Sequence, residues 1–229
     1  MADKELKETT VAAAAATSAL PDIPELHVTF SKPFNFEGET YDEVNLSGIA
    51  QLQSRQLTEL DEIVLSQTDS NKHPMLQDDY MYALAHLASD LPVELFERLP
   101  MREMRKIGDC INDYVNAAEK EESLYEETPE YLVKLADPIK LNGQTVTELD
   151  LSGLEDLNGL DKKAAERYVK KQKSARLFQR LGMLTWYAGY HFCLAAMALH
   201  VDVKDVEQLS FRDAFKVRIQ VLIFLGSMG

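Results

Sequence analysis

Apolar positions along this chain alternate first with a strand-like period, then with a helical one, and the chain runs through that order twice. Val28, Phe30, Phe34 and Phe36 are spaced by two or four, Glu37 and Gly38 follow, and Thr40, Val44 and Leu46 resume the alternation. A period of two predicts half-buried strands, here a hairpin opening at His27. The second occurrence is cleaner: Leu135, Ile139 and Leu141, then Asn142-Gly143, then Val146, Leu149 and Leu151. Asn-Gly between apolar runs signals a two-residue hairpin turn, because both residues tolerate positive φ.

Ser47-Gly48 and Ser152-Gly153 close the second strand of each hairpin and lead into helical spacing. Leu52, Leu57, Leu60, Ile63 and Val64 fit one helix face or two short helices. The run from Asp69 to Pro74 breaks it. A helix is expected over about 77–89, a short helical turn over 93–99, and a last helix opened by Pro100 and running to about 118. In the second half the spacing predicts helices near 161–181, 183–200 and 210–226.

The two passes align residue by residue. Val28 to Val64 matches Val133 to Val169 without a gap, sharing Pro33/Pro138, Gly38/Gly143, Leu46/Leu151 and Gly48/Gly153. Leu84 to Val115 matches Leu194 to Leu225, sharing Leu99/Leu209 and Arg102/Arg212. Units this long exceed a solenoid period. The expected fold is therefore α+β, two tandem repeats, each a β-hairpin followed by three or four α-helices. The expected organisation is a flexible N-terminal arm over 1–26, a first unit over 27–118, an acidic linker over 119–131 and a second unit over 132–229.

Composition narrows the function. A net charge of −14 over 229 residues disfavours nucleic acid, whose phosphates the surface would repel. Two cysteines, Cys110 and Cys193, give no disulfide framework and point to a reducing compartment. Acidic Asp3, Glu5 and Glu8 and the weakly apolar alanines that follow make the N-terminus a poor signal peptide. No phosphate loop, nucleophile elbow or paired-histidine metal motif is visible, so the residues show no catalytic signature and no metal site is expected; an enzyme with an unrecognised site is one alternative.

Three segments stand out as candidate surfaces. Met183 to Val201 carries no charged residue. Its small alanines, Thr185 and two histidines argue against a membrane span and for a buried central helix or a partner-binding face. Its large members include Trp186, Phe192 and Met197. The C-terminal helix is apolar on nearly all sides: Arg218, Ile219, Leu222 and Ile223 stand where the first half has Gly108, Asp109, Asn112 and Asp113. Such a helix must be covered by the other unit, a second chain or a client. The candidate partner-binding residues are thus Trp186, Phe192, Met197, Phe215, Ile219, Leu222 and Ile223. Third, Asp161 to Arg180 is basic in an acidic chain; Lys163, Arg167, Lys170 and Lys171 form either a dock for an acidic partner or a solvated face opposite an apolar stripe.

Taken together, these patterns resemble the small tail assembly chaperones of contractile-tailed phages. The best-matching stretch is Leu135 to Leu151, with Phe30 to Leu46 its twin; Val93 to Val115 and Val203 to Leu225 suit the family's last helices. These follow a Leu-x-x-x-Asp/Glu stretch, here Leu99 to Glu103 and Leu209 to Asp213. Family members usually have one such unit, and this chain has two. The resemblance implies a non-enzymatic chaperone in the host cytoplasm, with no cofactor and no small-molecule substrate, that coats the long helical tape-measure protein and keeps it soluble until the tail tube polymerises around it. It also names the tail-tube protein and self-association as further candidate partners, with neither nucleic acid nor membrane. A structural tail or baseplate protein of the virion is the alternative.

Overall fold

The computed structural model describes residues 25–67, 73–116, 131–172 and 175–227. The arm expected over 1–26 and the acidic linker lie almost wholly outside the described residues, as does most of the break at Asp69 to Pro74.

The fold is α+β, with two antiparallel hairpins among helices. The first hairpin pairs β1 (His27–Phe36) with β2 (Glu39–Asn45), and the second pairs β3 (Leu132–Leu141) with β4 (Gln144–Asp150). Both turns have positive φ at both central residues: 51° and 90° at Glu37 and Gly38, 48° and 81° at Asn142 and Gly143. This is the mirror-image turn whose twist suits a hairpin. The second begins at Leu132, three residues before the alternation became readable at Leu135.

Each hairpin slips register at its proline. His27 to Thr29 face Asn45 to Glu43, whereas Phe34 to Phe36 face Tyr41 to Glu39, and the slip falls across Pro33. The same slip lies between Lys134 and Ile139, across Pro138. Proline has no N–H for the ladder, so it is tolerated where pairing is interrupted. A carboxylate from the last helix of each half answers the freed amides. Glu103 accepts from the Ser31 amide at 3.3 Å, and Asp213 accepts from the Ala136 and Asp137 amides at 2.8 and 3.1 Å. Hydrogen bonding from Lys106, first among its causes, holds the Glu103 carboxyl down to about 2. The acid in the Leu-x-x-x-Asp/Glu stretch therefore pins the strand irregularity.

In the N-terminal half a 3-10 turn (Ser47–Gln51) leads into α1 (Ser54–Gln67); after a second such turn (Pro74–Leu76) come α2 (Asp78–Ser89), α3 (Val93–Arg98) and α4 (Met101–Asn116). In the C-terminal half a turn (Ser152–Asp156) precedes α5 (Gly159–Val169) and α6 (Arg176–Leu181). Another turn (Leu184–Trp186) precedes α7 (Ala188–Ala198), α8 (Val203–Val206) and α9 (Phe211–Ser227). The single helix expected near 161–181 is thus two: α5 starts on an Asn158/Asp161 capping box and ends at Val169, where Lys170 to Gln172 turn. The helix expected over 183–200 is shorter, its first turn being 3-10.

Gly48 and Gly153 show why a strand must hand over to its helices through glycine. A methyl at Gly48 would collide with the Ala88 carbonyl oxygen, and one at Gly153 with that of Ala198. The turn before α1 thereby lies flat on the end of α2, and the turn before α5 on the end of α7.

The halves share one interior. α1 packs on α2 and also on α6, α7 and α9 of the other half. Beside it, Gln53 forms an antiparallel bridge with Ser210: the Ser54 amide donates to Leu209 O at 3.1 Å and the Phe211 amide to Leu52 O at 2.9 Å. Fully buried Ser54 adds its hydroxyl to Glu207 O at 2.6 Å. α7 lies at the centre, against α1, α5, α8 and α9. That burial accounts for its lack of charge.

Candidate functional site

The C-terminal helix divides into two faces. Ala214, Val217, Val221 and Phe224 are buried, facing a core that includes α7, α1 and β3. Phe215, Ile219 and Leu222 are half-buried and Ile223 is 54% exposed. Their spacing of four, three and one puts them on one side of the helix. Of the three covers such a helix could have, the other half supplies one in part, through α1 and α4. An apolar strip on the outer side remains.

The structure does not gather all the expected residues there. Phe192 is fully buried in α7, so its ring meets no partner in the folded protein and it is withdrawn from the surface. Met197 is half-buried on α7. Half-buried Trp186 belongs to the joint between halves: its ring lies 5.8 Å from that of His73, and its carbonyl accepts from Arg218 at 3.2 Å. The strip that remains is Phe215, Ile219, Leu222 and Ile223, with Phe215 stacked on Phe211 at 6.0 Å.

The basic residues do share one surface. Lys163 and Arg167 are exposed on α5, and Lys170 and Lys171 are exposed in the turn after it, while Ala165 and Val169 on the opposite side are fully buried. Lys170 pairs with Glu166 at 3.4 Å, an exposed pair of small energetic weight.

The group that sequence reasoning missed is an ion pair inside the molecule. Asp61 on α1 and Arg218 on α9 are both fully buried. Arg218 Nη2 stands 2.8 Å from each carboxylate oxygen, hydrogen-bonding Oδ2; Nη1 reaches the Tyr80 hydroxyl at 3.4 Å. The Ala188 amide, at the start of α7, also donates to Oδ2 at 2.8 Å. Burial pushes the Asp61 carboxyl up to about 6, against the opposing pull of the Arg218 charge and the Ala188 amide. His73 and His191 stack nearby at 6.3 Å; burial, then the Arg218 charge, lowers His73 to about 4 and His191 well below its usual value. The signal was present: Asp61 falls on the apolar period of Leu57, Leu60 and Val64, and Arg218 interrupts an apolar helix.

A groove of about 500 Å³ lies between β1 and α4, lined by Glu25, His27, Val28, Thr29, Lys106, Asp109, Cys110 and Asp113. Lys106 is tied to Thr29 O at 3.0 Å and Ser31 Oγ at 2.9 Å. Burial and then the Asp113 charge raise the Cys110 thiol, opposing thiolate formation. Both cysteines are free. Among the described residues no group of metal-ligating side chains is gathered, and no helix is long and apolar enough to cross a membrane. No protein-family model, curated protein or solved structure matches the chain.

Proposed function

We propose that this chain is a tandem duplication of one hairpin-and-helix unit and acts, without catalysis, as an assembly chaperone of the phage-tail kind. Its client is a long, apolar, helix-forming tape-measure protein. The observation that carries the reading is the outer strip of α9, Phe215, Ile219, Leu222 and Ile223, on a chain of net charge −14. An apolar helix face recognises an amphipathic helix by anchors at one-turn spacing. The net negative charge of the chain keeps the complex soluble. The duplication is supported by the equal registers and turns of the two hairpins and by the paired glycines at Gly48 and Gly153.

Co-expression tests this reading. The wild-type chain should bring an otherwise insoluble tape-measure protein into the soluble fraction, without nucleotide or metal. Ile219→Asp with Ile223→Asp should retain the fold by circular dichroism and lose the client. A folded double variant that still solubilises it removes α9 as the site. Wild-type chain that never binds the client, yet occurs at fixed copy number in purified particles, makes this a structural tail protein.

A further inference from the structure

The internal joint between halves is one-directional, and its two unused counterparts are exposed. α1 and the segment before it dock onto α9 and α7, and His73, beyond the end of α1, meets the Trp186 ring in the turn before α7. On the duplication proposed above, the counterpart of that docking element in the C-terminal half is Leu157 to Leu160 with α5. The counterpart of the receiving face in the N-terminal half is the turn at Leu76 with the starts of α2 and α4. α5 packs on α7 within its own half. Leu76 and Met101, which stand where Trp186 and Phe211 stand in the joint, are 76% and 86% exposed, and Leu160, in the first turn of α5, is 72% exposed. Three of the four large apolar side chains most exposed among the described residues therefore lie on these two surfaces.

The exchange of residues at these surfaces sets their charge. Leu57 and Leu65, buried on α1, become exposed Lys162 on α5 and exposed Lys170 just after it. Ala188, whose amide donates to Asp61, becomes Asp78, with Asp79 beside it; Ile219 becomes Asp109. The α5 surface is thus lysine-rich, and the α2–α4 surface carries Asp78, Asp79 and Asp109, with Arg102 and Arg105 beside Met101. The backbone can make the same bridge. Gly159 and Met101 open their helices, where amides lack intrahelical partners. Pro100, in the place of Ser210, removes no needed donor, because the bridge uses the Ser54 and Phe211 amides.

We infer that the α5 surface of one copy docks on the α2–α4 surface of a second copy of this chain, repeating the internal joint between molecules. The contact is heterologous, so it propagates head to tail rather than closing as a two-fold dimer. Opposite charges steer it and make it salt-sensitive. This inference rests on the duplication, but not on the identity of the client.

Sedimentation velocity of the full chain over a concentration series tests it. Wild type should form a growing series of species at low salt and revert toward monomer at ~500 mM salt, where the Debye length is only a few ångströms. Leu160→Asp and Met101→Asp, both at exposed positions, should each remain monomeric. Mixed in equal amounts they should form a one-to-one heterodimer and nothing larger, since each supplies the surface the other has lost. Wild type that stays monomeric at all concentrations overturns the inference, and in that case retained client solubilisation shows that the chaperone reading survives. Single variants that still associate, or a mixture that does not pair, also overturn it.

Discussion

Replacing Arg218 with methionine keeps most of the side-chain volume on α9 and removes the only cation placed against buried Asp61 among the described residues. The carboxylate would retain the Ala188 amide at 2.8 Å but lose both close contacts to Nη2. Leaving one member of a buried pair uncompensated costs about 3–5 kcal/mol. A domain of this kind has only about 5–15 kcal/mol in total, so the variant should be folded but marginal. Asp61 also sets a pH dependence. Its folded value of about 6 lies above the ordinary 3.8, so its favourable contribution is complete below about 3.8 and lost as pH rises through 6. Removal of the Arg218 charge raises the folded value further. The Arg218→Met deficit should therefore be larger at pH 8 than at pH 5. Urea unfolding followed by far-UV circular dichroism measures it, as a single transition, because the pair joins the two halves. Asp61→Leu with Arg218→Met should recover most of the loss, since apolar replacements of buried pairs are often neutral or stabilising. A loss below about 1 kcal/mol for the single variant, or a double variant no more stable than the single, refutes the reasoning.

Gly153→Ala should lower stability by about 1–3 kcal/mol in the same assay, through its collision with the Ala198 carbonyl; an unchanged midpoint would mean the turn and α7 do not touch. On the acid side, His73 and His191 have folded values below 6.5, so their contribution is present above 6.5 and lost as pH falls toward about 4 for His73. Asp61 gains over part of the same range, so the net fall from pH 6.5 to 4 should lessen in His73→Asn; an identical pH profile would exclude His73 as a source.

Much of the frame was legible because its causes are local. Asn142-Gly143, and the alternation around it, sufficed for a hairpin, and Pro100 correctly marked the start of α4. The register slips were not, because Pro33 and Pro138 need a carboxylate 70 or more positions away to make their irregularity stable. The break between α5 and α6 was missed because the apolar stripe runs past it, while Lys170 and Lys171 end the helix locally. Charge-free α7 was compatible with burial, the default for such a helix, and with partner contact; packing against four helices made Phe192 core. Asp61 and Arg218 stand 157 positions apart, and no periodicity connects residues on different helices at that distance.

The most direct measurement of the proposed function is hydrogen exchange on the full chain with and without a tape-measure protein. The account predicts slower exchange over residues 215–225 in the complex, with the interior of α7 around Phe192 unchanged. Protection confined to α5 or to the β1–α4 groove, with α9 exchanging as in the free chain, would contradict it.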